Sequence, residues 1–247
     1  MFFDWTLWLT APAFVFALWA QHKVRSAFAR YSKVRASSGL TGAQLATELL
    51  RRAEVSAATE PAASGRQAAA ALGAVSVQMT SGQLSDYYDP SQNTLYLSEP
   101  VYGSNSIAAL GVAAHETGHA IQQATGYGGM ALRAALVPAA QFGSKLAFPL
   151  IFIGLIFGAG RGPLAILIDI GILLYVAAVA FTLVTLPVEY NASHRALTLL
   201  RSGGYVTDAE LGGVKRVLGA AAFTYVAAAA MAVLTLVRLL ILRGERD

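Results

Sequence analysis

Two of the four histidines in this 247-residue chain lie four residues apart in "AAHETGHAIQ", residues 113–122, with a glutamate beside the first. On a helix, residues four apart stand one turn above each other, so His115 and His119 project from one face. Glu116 is turned about 100° away, within reach of a water on an ion held by both imidazoles. The chain has no cysteine, which excludes disulfides and thiolate ligands and leaves imidazole and carboxylate to hold a metal. Two duller readings compete. Glu116 and His119 also form an E-x-x-H pair, which di-iron carboxylate bundles use in duplicate. No other glutamate is followed by a histidine three residues later, so the second half is missing. Both histidines could instead be core polar groups, but two imidazoles and a carboxylate in an alanine-rich helix would cost several kcal/mol without partners. A metal accounts for all three.

The segment "GSNSIAALGVAAHETGHAIQQATGYGG" reads as a half-buried helix of about five turns, with Ser104 or Ser106 as the cap and glycines closing the far end. Upstream, "SGLTGAQLATELLRRAEVSA" reads as a helix capped by Thr41, with Leu45, Leu49 and Leu50 on its apolar face. Residues 56–73 look like an exposed, low-complexity connector. "AVSVQMT" predicts a strand in which Val75, Val77 and Met79 alternate, and "TLYLS" a second, with Leu95 and Leu97 pointing one way and Tyr96 the other. Between them, "SGQLSDYYDPSQN" is rich in turn formers. Asp86 and Asp89 lack the rest of a calcium-ligand series and read as turn-capping residues. The strand of Leu95, Tyr96 and Leu97, just before the histidine helix, resembles an edge strand to which zinc proteases pair an extended substrate; a place inside the sheet is the alternative.

Composition sets these elements beside a membrane. The chain is 55% hydrophobic and only 13% charged, whereas soluble domains carry about 25% charged residues. Apolar runs at roughly 3–20, 146–160, 164–186 and 218–242 suggest about four transmembrane helices, the last the least secure because its first half is alanine-rich. The first run lacks a basic flank and a small-x-small cleavage site and reads as a retained anchor. Nine Lys and Arg fall within 21–138 and four within 187–216, which predicts these segments on the cytoplasmic side and the N-terminus outside. Arg161, Arg243 and Arg246 fall outside, a mild conflict. The net charge of +4 is scattered, without the aromatic interleaving that stacks bases, so no nucleic-acid partner is expected.

A catalytic zinc keeps three protein ligands and one open position. From His119 the chain crosses twice and returns at "LPVEYNASHRAL", where Glu189 meets the need for a carboxylate on the same side; His194 is the substitute. Asp169 sits nearer the outer end of the third span, on the wrong side. Lys145 and Asp169, in or beside spans, would be functional by default. Lys145 can snorkel, and Asp169 lacks an identified partner.

"DYYDPSQNTLYLSEPVYGSNSIAALGVAAHETGHAIQ", "LPVEYNASHRAL" and "SGLTGAQLA" together resemble the bacterial YugP-like neutral zinc metallopeptidases, membrane proteins distantly similar to HtpX-like proteases. Tyr87, Asn191 and His194 depart from the family pattern, where histidine, aspartate and arginine stand. The resemblance implies one zinc ion on His115, His119 and Glu189, with Glu116 as catalytic base. The expected fold is mainly α: an integral membrane protein with a small α+β, zincin-like catalytic domain carrying a short β-sheet and the H-E-x-x-H helix. The expected division is an anchor at 1–20, the catalytic domain at 21–138, a transmembrane hairpin at 139–186, the third-ligand helix and connector at 187–217, and a C-terminal transmembrane helix at 218–247. The expected activity is endopeptidase hydrolysis by zinc-activated water, on peptide or membrane-protein substrates, at a bacterial inner membrane. Tyr190, His194 and Arg195 are the possible transition-state or supporting residues. The alternative is a catalytically silent, metal-stabilised scaffold or chaperone-like membrane protein.

Overall fold

The computed structural model describes residues 5–157 and 163–244. Residues 158–160 at the end of the expected second span, the first two residues of the first, and Arg161 and Arg246 lie outside them. The chain divides into two units: one gathers residues 23–131 and 188–222, the other the described parts of 1–22, 132–187 and 223–247.

In order, the elements are α1 (Leu7–Tyr31), α2 (Gly42–Ala58), α3 (Ala63–Gly73), β1 (Ser76–Thr80), β2 (Tyr87–Asp89), β3 (Thr94–Ser98), the single turn α4 (Glu99–Tyr102), α5 (Ile107–Ala124), α6 (Gly128–Phe157), α7 (Ile166–Ser202) and α8 (Asp208–Gly244). Helix α2 starts as its sequence dictates. Thr41 Oγ1 accepts from the Gln44 amide and Gln44 Oε1 accepts from the Thr41 amide, a reciprocal capping box that satisfies two orphan donors. Leu45, Leu49 and Leu50 are buried.

Residues 56–73 are a correction: most of the expected connector is the end of α2 and all of α3. Ala68 and Leu72 are buried with Leu50 and Ala120, so a run of alanines that looked featureless supplies a small, close-packing helix face. A β-carbon on Gly65 would stand 2.7 Å from the Ala57 carbonyl oxygen, which explains a glycine where α3 turns back onto α2.

The sheet has the order β1-β3-β2, with β1 parallel and β2 antiparallel to β3. Strand β2 forms inside the segment expected to be turns, held by Tyr87↔Tyr96 and Asp89↔Thr94 pairing. Leu95 and Leu97 are fully buried and Tyr96 faces away, as the alternation predicts, whereas Met79 is 60% exposed. Helix α5 lies in the core of this unit, capped by Ser106, whose hydroxyl accepts from the Ala109 amide.

The other unit is helical. Three described helices are long and apolar enough to cross a bilayer: α6, α7 and α8. The alanine-rich fourth run therefore lies in a helix that qualifies, and α1 is not among the three. Within the described helix its apolar stretch runs from Leu7 to Ala20, and the polar Gln21, His22 and Lys23 follow at once, which lowers its mean hydropathy below that of the other three. Small residues bring α6 and α7 together, as in membrane bundles: a β-carbon on Gly171 of α7 would stand 2.7 Å from the Ala147 carbonyl oxygen of α6. Asp169 has the partner the sequence does not reveal. Arg243 Nε of α8 donates to its Oδ1 at 2.7 Å. Lys145 is exposed.

Candidate metal centre

Helix α5 supplies two imidazoles and α7 one carboxylate, all in the unit of residues 23–131 and 188–222. One ligand atom from each of His115, His119 and Glu189 lies within 4.8 Å of the others. Glu189 Oε2 is 3.2 Å from His115 Nε2 and 3.4 Å from His119 Nε2. The rings stand nearly perpendicular, their centroids 4.8 Å apart.

The local sequence explains the convergence. Gly118 and Ala192 face each other where α5 meets α7, and Gly118 lets the backbones touch. Val188, Ala192 and Ala196 are fully buried along one stripe of α7, and Glu189 and Ser193 flank that stripe one helical turn apart. Burial alone would push the Glu189 carboxyl up, but the hydrogen bonds from His115 and His119 outweigh it and hold the group well below the usual carboxylate range. Burial likewise works against a charged His119, yet the Glu189 and Glu116 carboxylates raise its pKa above the ordinary value. Glu116 is 8% exposed; burial pushes its carboxyl up, while the two imidazoles pull the other way.

The donor set fits a zinc ion. Two ligands about 2.0–2.1 Å from a common tetrahedral ion lie about 3.3 Å apart, close to the 3.2 and 3.4 Å observed between the two imidazole nitrogens and the carboxylate oxygen. The far nitrogens are occupied: Ser193 Oγ lies 3.1 Å from His115 Nδ1 and Gln122 Oε1 lies 2.9 Å from His119 Nδ1. That leaves both Nε2 atoms turned to the carboxylate, as ligation requires.

The remaining expected residues separate. Tyr190 is 52% exposed. His194 is exposed, about 140° round the helix from Glu189. Arg195 Nε donates to Asn191 Oδ1 at 2.8 Å. The edge-strand reading of Leu95, Tyr96 and Leu97 is a correction: β3 is the middle strand, with β1 hydrogen-bonded along one flank and β2 along the other, so neither of its edges is open. Asp89 caps its turn as expected, whereas Asp86 instead ties the start of β2 to the end of β3. Asp89 Oδ1 accepts from the Ser91 amide and hydroxyl, and Asp86 Oδ1 accepts from the Ser98 amide.

Sequence reasoning missed Gln122 and Ser193, and marked Asn191 only as a departure from the family pattern. Gln122 was legible in principle, since positions 115, 119 and 122 follow the i, i+4, i+7 spacing of one helix face; Ser193 is likewise one turn beyond Glu189.

The family described as "Putative neutral zinc metallopeptidase" matches residues 6–67 and 57–244. A relative from Bacillus subtilis (strain 168), named "Putative membrane protease YugP", is 43% identical over 242 residues, covering 98% of each chain. No solved structure matches the chain.

Proposed function

The chain belongs to the neutral zinc metallopeptidase family, and on that footing we propose that it is a membrane-embedded, zinc-dependent endopeptidase. The observation that carries this reading is the convergence of His115, His119 and Glu189 on one point from two helices, with the buried Glu116 carboxylate one residue along. When bound there, zinc supplies a Lewis acid that activates water and polarises the scissile carbonyl.

Glu116 accepts the proton of the attacking water and delivers it to the leaving amine; burial, which raises its pKa, suits it to both tasks near neutral pH. Glu189 and Ser193 position the imidazoles. Of the three residues proposed to meet the developing oxyanion, Arg195 is engaged by Asn191 and His194 is turned away, so we assign the role to Tyr190, which adjoins Glu189 and is half-exposed.

In this reading α1 is a fourth membrane helix. Trp8, Phe14, Val15 and Leu18 are all more than half exposed, while Thr6, Ala13 and Ala20 are buried at seven-residue spacing, a lipid face and a packing face. The basic-residue balance puts the catalytic domain in the cytoplasm, at a bacterial inner membrane. Substrates are peptides or segments of membrane proteins.

The test is metal content beside cleavage. Purified chain should hold one zinc per molecule, and Glu116→Gln should keep the zinc and lose about 10²–10⁴-fold in peptide hydrolysis. Full activity in Glu116→Gln, or no zinc in the wild type, refutes the proposal. A metal-stabilised scaffold would instead keep its cellular role in Glu116→Gln and unfold in His115→Ala.

A further inference from the structure

Gln122 is fully buried, and every polar atom of its side chain is committed. Its Nε2 donates to the Val188 carbonyl and to Asn191 Oδ1, both at 2.9 Å, and its Oε1 faces His119 Nδ1 at 2.9 Å. Asn191 Oδ1 also accepts from Arg195 Nε at 2.8 Å.

Two of these groups have no freedom of role. A guanidinium can only donate, so the Asn191 atom beside Arg195 is its oxygen. A backbone carbonyl can only accept, so the Gln122 atom beside Val188 is its nitrogen. The amide nitrogen thus has acceptors for both of its hydrogens, and the oxygen left over can only accept. His119 must therefore carry a proton on Nδ1, which leaves Nε2, 3.4 Å from Glu189 Oε2, as its ligating atom once the ring is neutral. His115 differs. Its Nδ1 meets the Ser193 hydroxyl, which can turn to donate or accept and so imposes no tautomer.

We propose that Gln122, Asn191 and Arg195 form a positioning relay that sets the His119 tautomer before the metal arrives, so that His119 is the pre-set ligand of the centre and His115 the adaptable one. The relay rests on the metal-centre reading above, and it also ties α5 to α7 through Val188 and Asn191. Arg195 serves here from a distance, through two amides, and not on the substrate.

The experiment uses the full-length chain in detergent. Zinc affinity is measured by chelator competition, and the metal-free protein, labelled with ¹⁵N-histidine and held at a pH high enough for the ring to be neutral, is read by NMR for the protonated ring nitrogen of His119. Gln122→Met keeps the shape and removes the acceptor; it should weaken zinc binding about 10–100-fold and replace the single Nδ1–H form of His119 by a mixture of tautomers. Asn191→Asp, the conservative variant that still accepts from Gln122 and Arg195, should retain the Nδ1–H form. Should Gln122→Met fail to fold, the wild-type spectrum decides by itself: a neutral His119 ring protonated at Nε2 instead of Nδ1 overturns the relay. Wild-type zinc affinity and an unchanged His119 signal in Gln122→Met overturn the relay. A wild type that binds no zinc refutes the metal centre instead, and the NMR measurement on the metal-free chain still decides the tautomer.

Discussion

Gly118 lies against Ala192 so closely that a β-carbon at position 118 would stand 2.8 Å from the Ala192 carbonyl oxygen and 3.3 Å from its Cα. The glycine of the H-E-T-G-H run is thus the contact on which the α5–α7 approach depends. Gly118→Ala must push backbone from backbone, since no flexible side chain is there to yield. Overpacking of this kind costs about 1–3 kcal/mol, and it moves the helix that carries Glu189. The expected outcome is a chain that still folds but has a lower melting temperature and substoichiometric zinc, measured by calorimetry and metal analysis. Wild-type zinc content would show that the carboxylate is placed by other contacts.

Zinc binding should weaken as the pH falls. The ligand nitrogens must be unprotonated, and in the metal-free chain the neighbouring carboxylates raise the pKa of His119 above its ordinary value. Protons therefore compete with the ion to higher pH than an isolated imidazole would allow. Glu189 is held below the carboxylate range, stays ionised throughout, and adds nothing to the slope near neutrality. As His119 takes up its proton, affinity should fall by up to about tenfold per pH unit. Chelator competition between about pH 8 and about pH 6, which brackets the ordinary imidazole range, checks this; a flat profile contradicts the ligand set.

Tyr190→Phe tests the proposed oxyanion donor. Removal of one such donor typically lowers kcat about 10²–10³-fold, and the zinc content should not change. His194→Ala, on the far side of the helix, should leave kcat within a few-fold of wild type. The reverse ranking transfers the role to the histidine.

The absence of cysteine permits a clean topology measurement. Single cysteines at Trp5 and Leu164 should react with a membrane-impermeant maleimide on intact cells, and one at Ser81 only after lysis. Labelling of Ser81→Cys from outside would invert the orientation, and protection of Trp5→Cys would remove α1 from the spanning helices.

The histidine helix was legible because its signals agree: a serine cap, an apolar period of 3.6 and two imidazoles on one face. The three apolar helices α6, α7 and α8 were legible for the same reason, since composition alone sets them apart. Helix α3 was not, because alanine and serine carry almost no periodic contrast, and its burial depends on the glycine that lets it fold back on α2. Strand β2 was hidden by its own turn formers; Asp86 and Asp89 sit at its ends, and three residues are too few for alternation to show. The Gln122–Asn191–Arg195 chain needed two helices to be brought together before its members could be seen as neighbours, although the position of Gln122 on the ligand face was available from spacing.

The enclosure of "TLYLS" within the sheet also limits how a polypeptide could be received. With both flanks of that ribbon taken, any visiting chain that extends the sheet must lie outside β1 or outside β2, as a fourth ribbon. Beside β1 it would meet a five-residue rail, and beside β2 one of only three, so the length of backbone that can be gripped differs between the two sides.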